Sequence, residues 1–347
     1  MTLLKKPGKS RDSRWPMTRC IVLSLLLVAL VARPVFAWSE GGHVAIAELA
    51  MRDLSERERK LLNDLAQTLV NPNLEGESDK GESSKAESIK TDTLIRRYGS
   101  VSAVAQTAAW VDGLRDLEVR QIFARYGRQV PSELKAYAGK TTADWHYSNL
   151  PYFDNKEEAA HFKTQCSLRN RGQLNTVLPL LQRAFASAVD TRDKAIVLAM
   201  LVHFVGDAHQ PLHGITRVTH GCQHDRGGNG FCTERQDSKG RCKVNLHRVW
   251  DSGFGFFYRR DFESVLSAIA AQRPSEPPIQ VSVTDANLMQ PSVWQRENLA
   301  LADVVYGIDE GETLNKAYRQ KGEIIVRQRA ALAAQRLALL LKELTED

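Results

Sequence analysis

Residues 192–207, RDKAIVLAMLVHFVGD, constrain this fold more than any other part of the chain. They follow a capping signal at Asp190-Thr191 and are apolar on nearly every face. A helix with one apolar stripe can lie on a surface, whereas a helix that is apolar all round has to be enclosed by others. The stretch therefore predicts a buried central helix, stopped by Pro211. His203 and Asp207 stand inside it, four residues apart and so on one helix face. An unpartnered polar group in that setting costs on the order of 2–7 kcal/mol. A His–Asp hydrogen bond would answer that need, and so would a metal ion; the pair alone leaves both open.

Helical patterning dominates elsewhere. Residues 42–65 read as one or two helices, with Ser55 an N-cap before Glu56. Residues 101–117, 174–189, 244–253, 261–271, 287–305 and the Ala-rich 323–344 also carry helical patterns. Residues 71–95 are polar and rich in Ser, Glu and Lys, the composition of a solvated loop. Residues 133–149 read as irregular, and 215–245, rich in Gly and Cys, as a long loop. Strand signals are sparse and no internal repeat is visible. The expectation is an all-α fold, a single multi-helix domain with long loops.

The amino terminus carries Lys5, Lys6, Lys9, Arg11, Arg14 and Arg19 against Asp12, then an apolar run over 21–32, then Arg33-Pro34-Val35-Phe36-Ala37. A basic start, a short apolar stretch and small residues at Val35 and Ala37 mark a secretory signal, with cleavage expected between Ala37 and Trp38. The 12-residue run falls short of the roughly 20 residues that cross a bilayer, which argues against an uncleaved anchor. Residues 1–37 are thus expected to be removed. Residues 38–347 would remain as a mature domain, periplasmic or secreted, monomeric and without stable membrane association.

Export changes the charge argument. The chain has 47 Lys+Arg against 41 Asp+Glu, formally +6. Residues 1–37 hold 7 of those bases and 1 of the acids, leaving 40 of each in 38–347. Net charge therefore gives no argument for nucleic-acid binding, and any hold on phosphate has to come from a local site. Four cysteines remain after cleavage: Cys166, Cys222, Cys232 and Cys242. In an oxidising compartment they suggest two disulfides, with three pairings open; no C-x2-C pair favours a cysteine zinc site.

His247 and Asp251 repeat the spacing of His203 and Asp207. His213 stands just past Pro211. Asp112 lies in AAWVDGLR with Arg115 three residues on, and His146 lies between Trp145 and Tyr147. Cleavage would make Trp38 the first residue, with His43 five positions later. A free amino terminus has a pKa of about 7.7–8.0, so a nearby cation readily takes it as a ligand. Its nitrogen and the Trp38 carbonyl oxygen could then chelate one ion.

This set of residues resembles the nine ligands of the zinc-dependent single-strand nucleases of the S-one/P-one type, within the phospholipase C/P-one nuclease superfamily. The strings W-x4-H at the mature start, W-x-D-x-x-R, W-H-Y, H-x3-D-x-H-Q-P-L-H, G-G-N and a final H-x3-D occur in that family's order along the whole mature chain. The resemblance implies three Zn2+. Asp112, His146 and His203 would hold one; Trp38 and His43 a second, with Asp207 bridging these two; His213, His247 and Asp251 the third. It implies that Arg115 contacts phosphate, that Tyr147 is a base platform, and that Asn149 and Asn229 line a base pocket, the glycines before Asn229 letting backbone approach a base. The family often carries Asp at the place of Asn149, so base preference stays open. His209 is read as structural, His161, His220 and His224 as surface residues, and Trp294 and Glu297 as part of a packing helix.

The implied activity is hydrolysis of single-stranded DNA and RNA to 5′-phosphorylated products, with nucleotides as further substrates through a 3′-nucleotidase activity. The alternative is a zinc-dependent phospholipase C. The short Trp38–His43 interval and an Asp at position 251 favour the nuclease. A protein in which zinc only ties helices together would have closed, cysteine-rich sites.

Overall fold

From Trp38 the chain enters α1 (Glu40–Arg52) and, after a short turn, α2 (Glu56–Val70). The structure is a computed structural model that describes residues 38–70, 91–165, 168, 172–219, 222–234, 236–238, 242–272 and 289–346. The expected signal segment, Cys166 and His220 lie outside these residues. Ser55 caps α2 as expected: its Oγ accepts from Glu58 N at 3.3 Å, and Glu58 Oε2 accepts from Ser55 N at 2.6 Å. This reciprocal pair satisfies two end groups at once.

Two expectations shift in the next part of the chain. Thr91–Tyr98, the end of the polar stretch expected to be loop, forms α3. The helix expected over 101–117 is broken in two. Ser102 Oγ accepts from Ala105 N at 3.1 Å and starts α4 (Ala103–Ala108), which gives way to a 3-10 turn over Trp110–Leu114 that buries Asp112. The short α5 (Val119–Ala124) follows. Residues 133–149 are irregular apart from 3-10 turns at Ser132–Tyr137 and Ala143–Trp145, as the pattern predicted.

Strand β1 (Leu150–Tyr152) leads to α6 (Lys156–Gln165), α7 (Leu174–Ser187), α8 (Thr191–Ala208) and a single turn, α9 (Pro211–Gly214). Then come β2 (Ile215–Thr219) and β3 (Gln223–His224), part of the segment expected to be loop. β1 runs parallel to β2, pairing Leu150 with Ile215, and β2 runs antiparallel to β3. Strands of two to five residues are too short to show the alternation that reveals a strand in sequence. The chain closes with α10 (Leu246–Asp251), a 3-10 segment over Gly253–Tyr258, α11 (Phe262–Ala270), α12 (Pro291–Ala300), α13 (Ala302–Val305) and the 28-residue α14 (Lys316–Glu343).

Helix α8 occupies the centre. Asp190 caps it, accepting from Arg192 N at 2.8 Å and Asp193 N at 3.3 Å. Every residue from Ala195 to Ala208 is buried, enclosed by α1, α2, α4, α7 and α14. No helix among the described residues is long and apolar enough to cross a membrane; the apolar surface of α8 is met by protein. The helix ends at Ala208 with His209 as C-cap. Pro211 does not stop it but opens α9, at a first-turn position where the missing N–H leaves no bond unmade. Gly206 lets α1 come close, because a Cβ there would lie 2.9 Å from His43 Nδ1.

The turn after α8 is clamped by buried charge. Glu297 of α12 accepts from Arg329 Nη1 at 2.8 Å and from Arg336 Nη1 and Nη2 at 2.8 and 2.6 Å. Arg329 Nε donates to the His209 carbonyl at 3.1 Å, and Arg336 Nη1 to His209 Nε2 at 3.0 Å. His209 Nδ1 donates to the Val205 carbonyl at 2.8 Å. Burial, reinforced by the two arginines, holds the His209 pKa well below its usual value, so the ring stays a neutral acceptor.

Candidate metal centre

Helix α8 presents His203 and Asp207 inward, and residues from far along the chain meet them. Asp207 is the hub. Its Oδ1 lies 3.4 Å from His43 Nε2 on α1 and 3.5 Å from His213 Nδ1 on α9. Its Oδ2 lies 2.9 Å from His146 Nδ1 and 3.2 Å from His203 Nε2. Asp112 Oδ1 stands 3.7 Å from His203 Nε2 and 3.8 Å from His146 Nδ1. On the other side, Asp251 lies 3.6 Å from His213 Nε2 through Oδ1 and 3.5 Å from His247 Nε2 through Oδ2. The His43 ring stacks on His203 at 3.9 Å and the His213 ring on His247 at 5.0 Å. All eight of these side chains are buried.

The ring orientations are set by backbone carbonyls. His203 Nδ1 donates to Ala108 O at 2.8 Å, and His247 Nδ1 to Gly227 O at 2.6 Å, so each Nε2 faces the cluster. Such bonds fix the tautomer a metal ligand needs. The Gly227 carbonyl gets there because Arg226, Gly227 and Gly228 are consecutive left-handed residues, φ 57°, 63° and 80°. A Cβ on Gly227 would lie 2.4 Å from Leu212 O, and one on Gly228 3.1 Å from His247 N. In the structure these glycines make room for the chain itself.

The donor set fits cations. His43 Nδ1 and Nε2, Asp112 Oδ1, His146 Nε2, Asp207 Oδ1 and both His213 ring nitrogens are buried without hydrogen-bond partners, a costly arrangement unless something else meets them. His146 Nδ1 and His203 Nε2 face one another at 3.2 Å across Asp207, where two ring nitrogens need a shared proton or cation between them. His43–Asp112–His203, His146–His203–Asp207 and His213–His247–Asp251 each bring one donor atom per residue within 4.8 Å of the others. Imidazole with carboxylate, and no thiolate, is a donor set suited to zinc.

The charges point the same way. Burial, helped by His203, pushes His43 down to about 4. Burial also pushes His247 down to about 4 and His213 well below its usual value, so these rings are neutral and ready as ligands at pH 7. Burial opposes the ionisation of Asp207, but the charge on His203 and the hydrogen bonds from His146 and His203 outweigh it and hold the carboxyl well below the usual range. Burial likewise opposes protonation of His203, yet Asp207 and Asp112 together raise it to about 9. Asp251 is pushed well up by burial.

The Trp38 ring is fully buried, donates from Nε1 to Gly206 O at 2.8 Å and packs edge-on against Phe257, while Ser39 N donates to Asp251 O at 2.8 Å. Residue 38 is thereby held between α8 and α10. Arg115 follows the turn that carries Asp112, and its charge acts on Asp112, His247 and Asp251. Tyr147 is partly exposed; its hydroxyl donates to Asp144 Oδ1 at 3.1 Å, and its ring lies against Gly172. Asn149 is partly buried just before β1. Asn229 Nδ2 donates to Arg226 O at 3.0 Å. Of the cysteines, Cys232 pairs with Cys242, and Cys222 is disulfide-bonded as well. His224 and His161 are exposed, as expected of surface residues.

The chain matches the S1/P1 Nuclease family over residues 38–346. It is 25% identical over 265 residues to Endonuclease 2 of Arabidopsis thaliana, covering 70% of this chain and 87% of that protein. It is 29% identical over 158 residues to Endonuclease 4 of the same organism, covering 42% of this chain and 50% of that protein.

Proposed function

Because the chain belongs to the S1/P1 nuclease family, a group of zinc enzymes that hydrolyse phosphodiester bonds in nucleic acid, we propose that it is an exported three-zinc nuclease acting on single strands. DNA and RNA would be cut to 5′-phosphorylated products, with 3′-nucleotides as smaller substrates. The observation that carries this reading is the convergence of seven buried imidazoles and carboxylates around Asp207, several of their polar atoms without protein partners.

Asp112, His146 and His203 would hold one ion, Trp38 and His43 a second, and His213, His247 and Asp251 the third, with Asp207 shared by the first two. Bound zinc would supply Lewis acidity to phosphate oxygens and lower the pKa of a water. The chain's own side chains do the rest. Asp207, held ionised by the imidazoles around it, balances the positive charge of the first two sites. Arg115, whose charge reaches both Asp112 and Asp251, would fix a non-bridging phosphate oxygen with its planar fork. Tyr147 would stack a base, an interaction open to unpaired strands and worth about 1–3 kcal/mol. Asn149 and Asn229 would line the pocket beside it. Residues 38–347 carry no net charge, so affinity would come from this site and not from a basic surface.

Cleavage between Ala37 and Trp38 would supply the terminal amine, and the protein would work as a monomer in the periplasm or medium. The test is metal analysis of protein beginning at Trp38, followed by assays on single-stranded DNA, duplex DNA and phosphatidylcholine vesicles. Three zinc ions and preference for the single strand are expected. Fewer than two tightly held ions, equal cleavage of duplex, or lipid hydrolysis alone would overturn the reading.

A further inference from the structure

Gln210 is wholly buried in the turn between α8 and α9 and is not one of the nine proposed ligands. Its amide has a fixed polarity. Leu212 N donates to Gln210 Oε1 at 2.5 Å, which assigns that atom as the acceptor and turns Nε2 toward Asp251 Oδ1, to which it donates at 2.6 Å. The backbone beneath it is held too. Asn298 Nδ2 donates to Ala208 O at 3.0 Å and to Gln210 O at 3.4 Å, and Gln210 N donates to Asp207 O at 3.0 Å.

Asp251 needs such a partner. It is 4% exposed, and a short amide bond both stabilises its charged form and stops the carboxylate turning about its last torsion. The bond holds Oδ2 toward His247 Nε2, 3.5 Å away. A ligand already held in its bound orientation loses less freedom when the ion arrives.

Resting on the three-zinc reading above, we infer that Gln210 is a positioning residue for the ion of His213, His247 and Asp251, and that it tunes the affinity of that ion separately from the other two. The side-chain bonds of Gln210 end on Leu212 and Asp251, both in that half of the cluster. The competing role is a simple cap on α9, which would affect folding and no single ion.

The experiment uses mature protein starting at Trp38 and the variants Gln210→Met and Gln210→Asn. Met keeps the volume and loses both bonds; Asn keeps a buried amide but is too short to span Leu212 N and Asp251. Each protein is dialysed against zinc buffered by a chelator, and bound zinc is counted by mass spectrometry across a range of free zinc. Asp251→Ala identifies the ion in question as the one it loses. Both Gln210 variants are expected to bind that ion about 10- to 100-fold more weakly, to bind the other two as the parent does, and to regain the third at high zinc. Parental affinity for all three ions in both variants overturns the inference and leaves the nuclease reading intact. Uniform weakening of all three assigns Gln210 a folding role and also overturns it. A parent that never binds a third ion removes the three-zinc reading, and the inference with it.

Discussion

Replacing Glu297 with Gln should unfold the protein well before the parent melts. Glu297 is 3% exposed and accepts three hydrogen bonds of 2.6–2.8 Å from two guanidinium groups, themselves 3% and 4% exposed. The carboxamide keeps the shape, removes the only negative charge in that group, and puts an N–H where an arginine N–H now donates. Two cations are then left buried, and burial together with Arg336 already works against the charge on Arg329. Removing one partner of a buried ion pair costs about 3–5 kcal/mol, a large share of a total stability of roughly 5–15 kcal/mol. At about 2–3 °C per kcal/mol for a large domain, Tm should fall by about 6–15 °C. Calorimetry at fixed zinc concentration measures it. The triple replacement Glu297→Leu, Arg329→Met, Arg336→Leu should recover only part of that loss, because no unpaired charge remains but the buried His209 carbonyl and Nε2 lose their donors. A Glu297→Gln protein melting within about 2 °C of the parent would refute the assignment of the clamp as a buried, mutually dependent unit.

Three further outcomes are expected. Gly206→Ala would push a methyl to 2.9 Å from His43 Nδ1; overpacking of this kind costs about 1–3 kcal/mol and should displace His43, seen as a lower Tm with reduced zinc content. In metal-free protein, His43 and His247 sit at about 4 against an ordinary 6.5. The unfolded chain binds those protons first, so stability is lost as pH falls from 6.5 toward 4. His203, raised to about 9, contributes stability that is complete below 6.5 and is lost as pH rises through 9. Metal-free Tm should therefore peak near pH 6.5, while the gain in Tm on adding zinc grows toward pH 9, where fewer protons have to be displaced; a flat metal-free profile contradicts this. Tyr147→Ala should raise KM for single-stranded DNA by about 5- to 150-fold, the equivalent of 1–3 kcal/mol of stacking, with kcat changed far less; an unchanged KM would remove Tyr147 from the base platform.

Much of the fold was legible because its signals are local. The all-round apolarity of 192–207 gave α8, Asp190 its start, and Ser55 the start of α2. The His203–Asp207 and His247–Asp251 spacings placed four of the site's side chains on helix faces. What could not be read depends on contacts across the chain. The end of α8 was attributed to Pro211, but the helix stops at His209, a residue gripped by arginines more than a hundred positions later. The β1–β2 pairing joins segments 65 residues apart, Leu150 with Ile215, through strands too short to announce themselves. The carbonyl of Ala108 that aims His203 leaves no trace in residue type. Gln210 stood within the string that carries His213, yet nothing in one sequence tells a buried amide's partner from its neighbours.

Two of the candidate centre's side chains, His203 and Asp207, are also interior residues of the central helix, and this restricts how such a chain can diverge. A lineage that abandoned the ions could not simply lose one histidine, since Asp207 and the remaining rings would be stranded in a dry interior. It would have to exchange the whole constellation for apolar side chains of matching volume, close to simultaneously. Inactive descendants of this architecture should accordingly be rare, and where they occur their former ligand positions should have changed together.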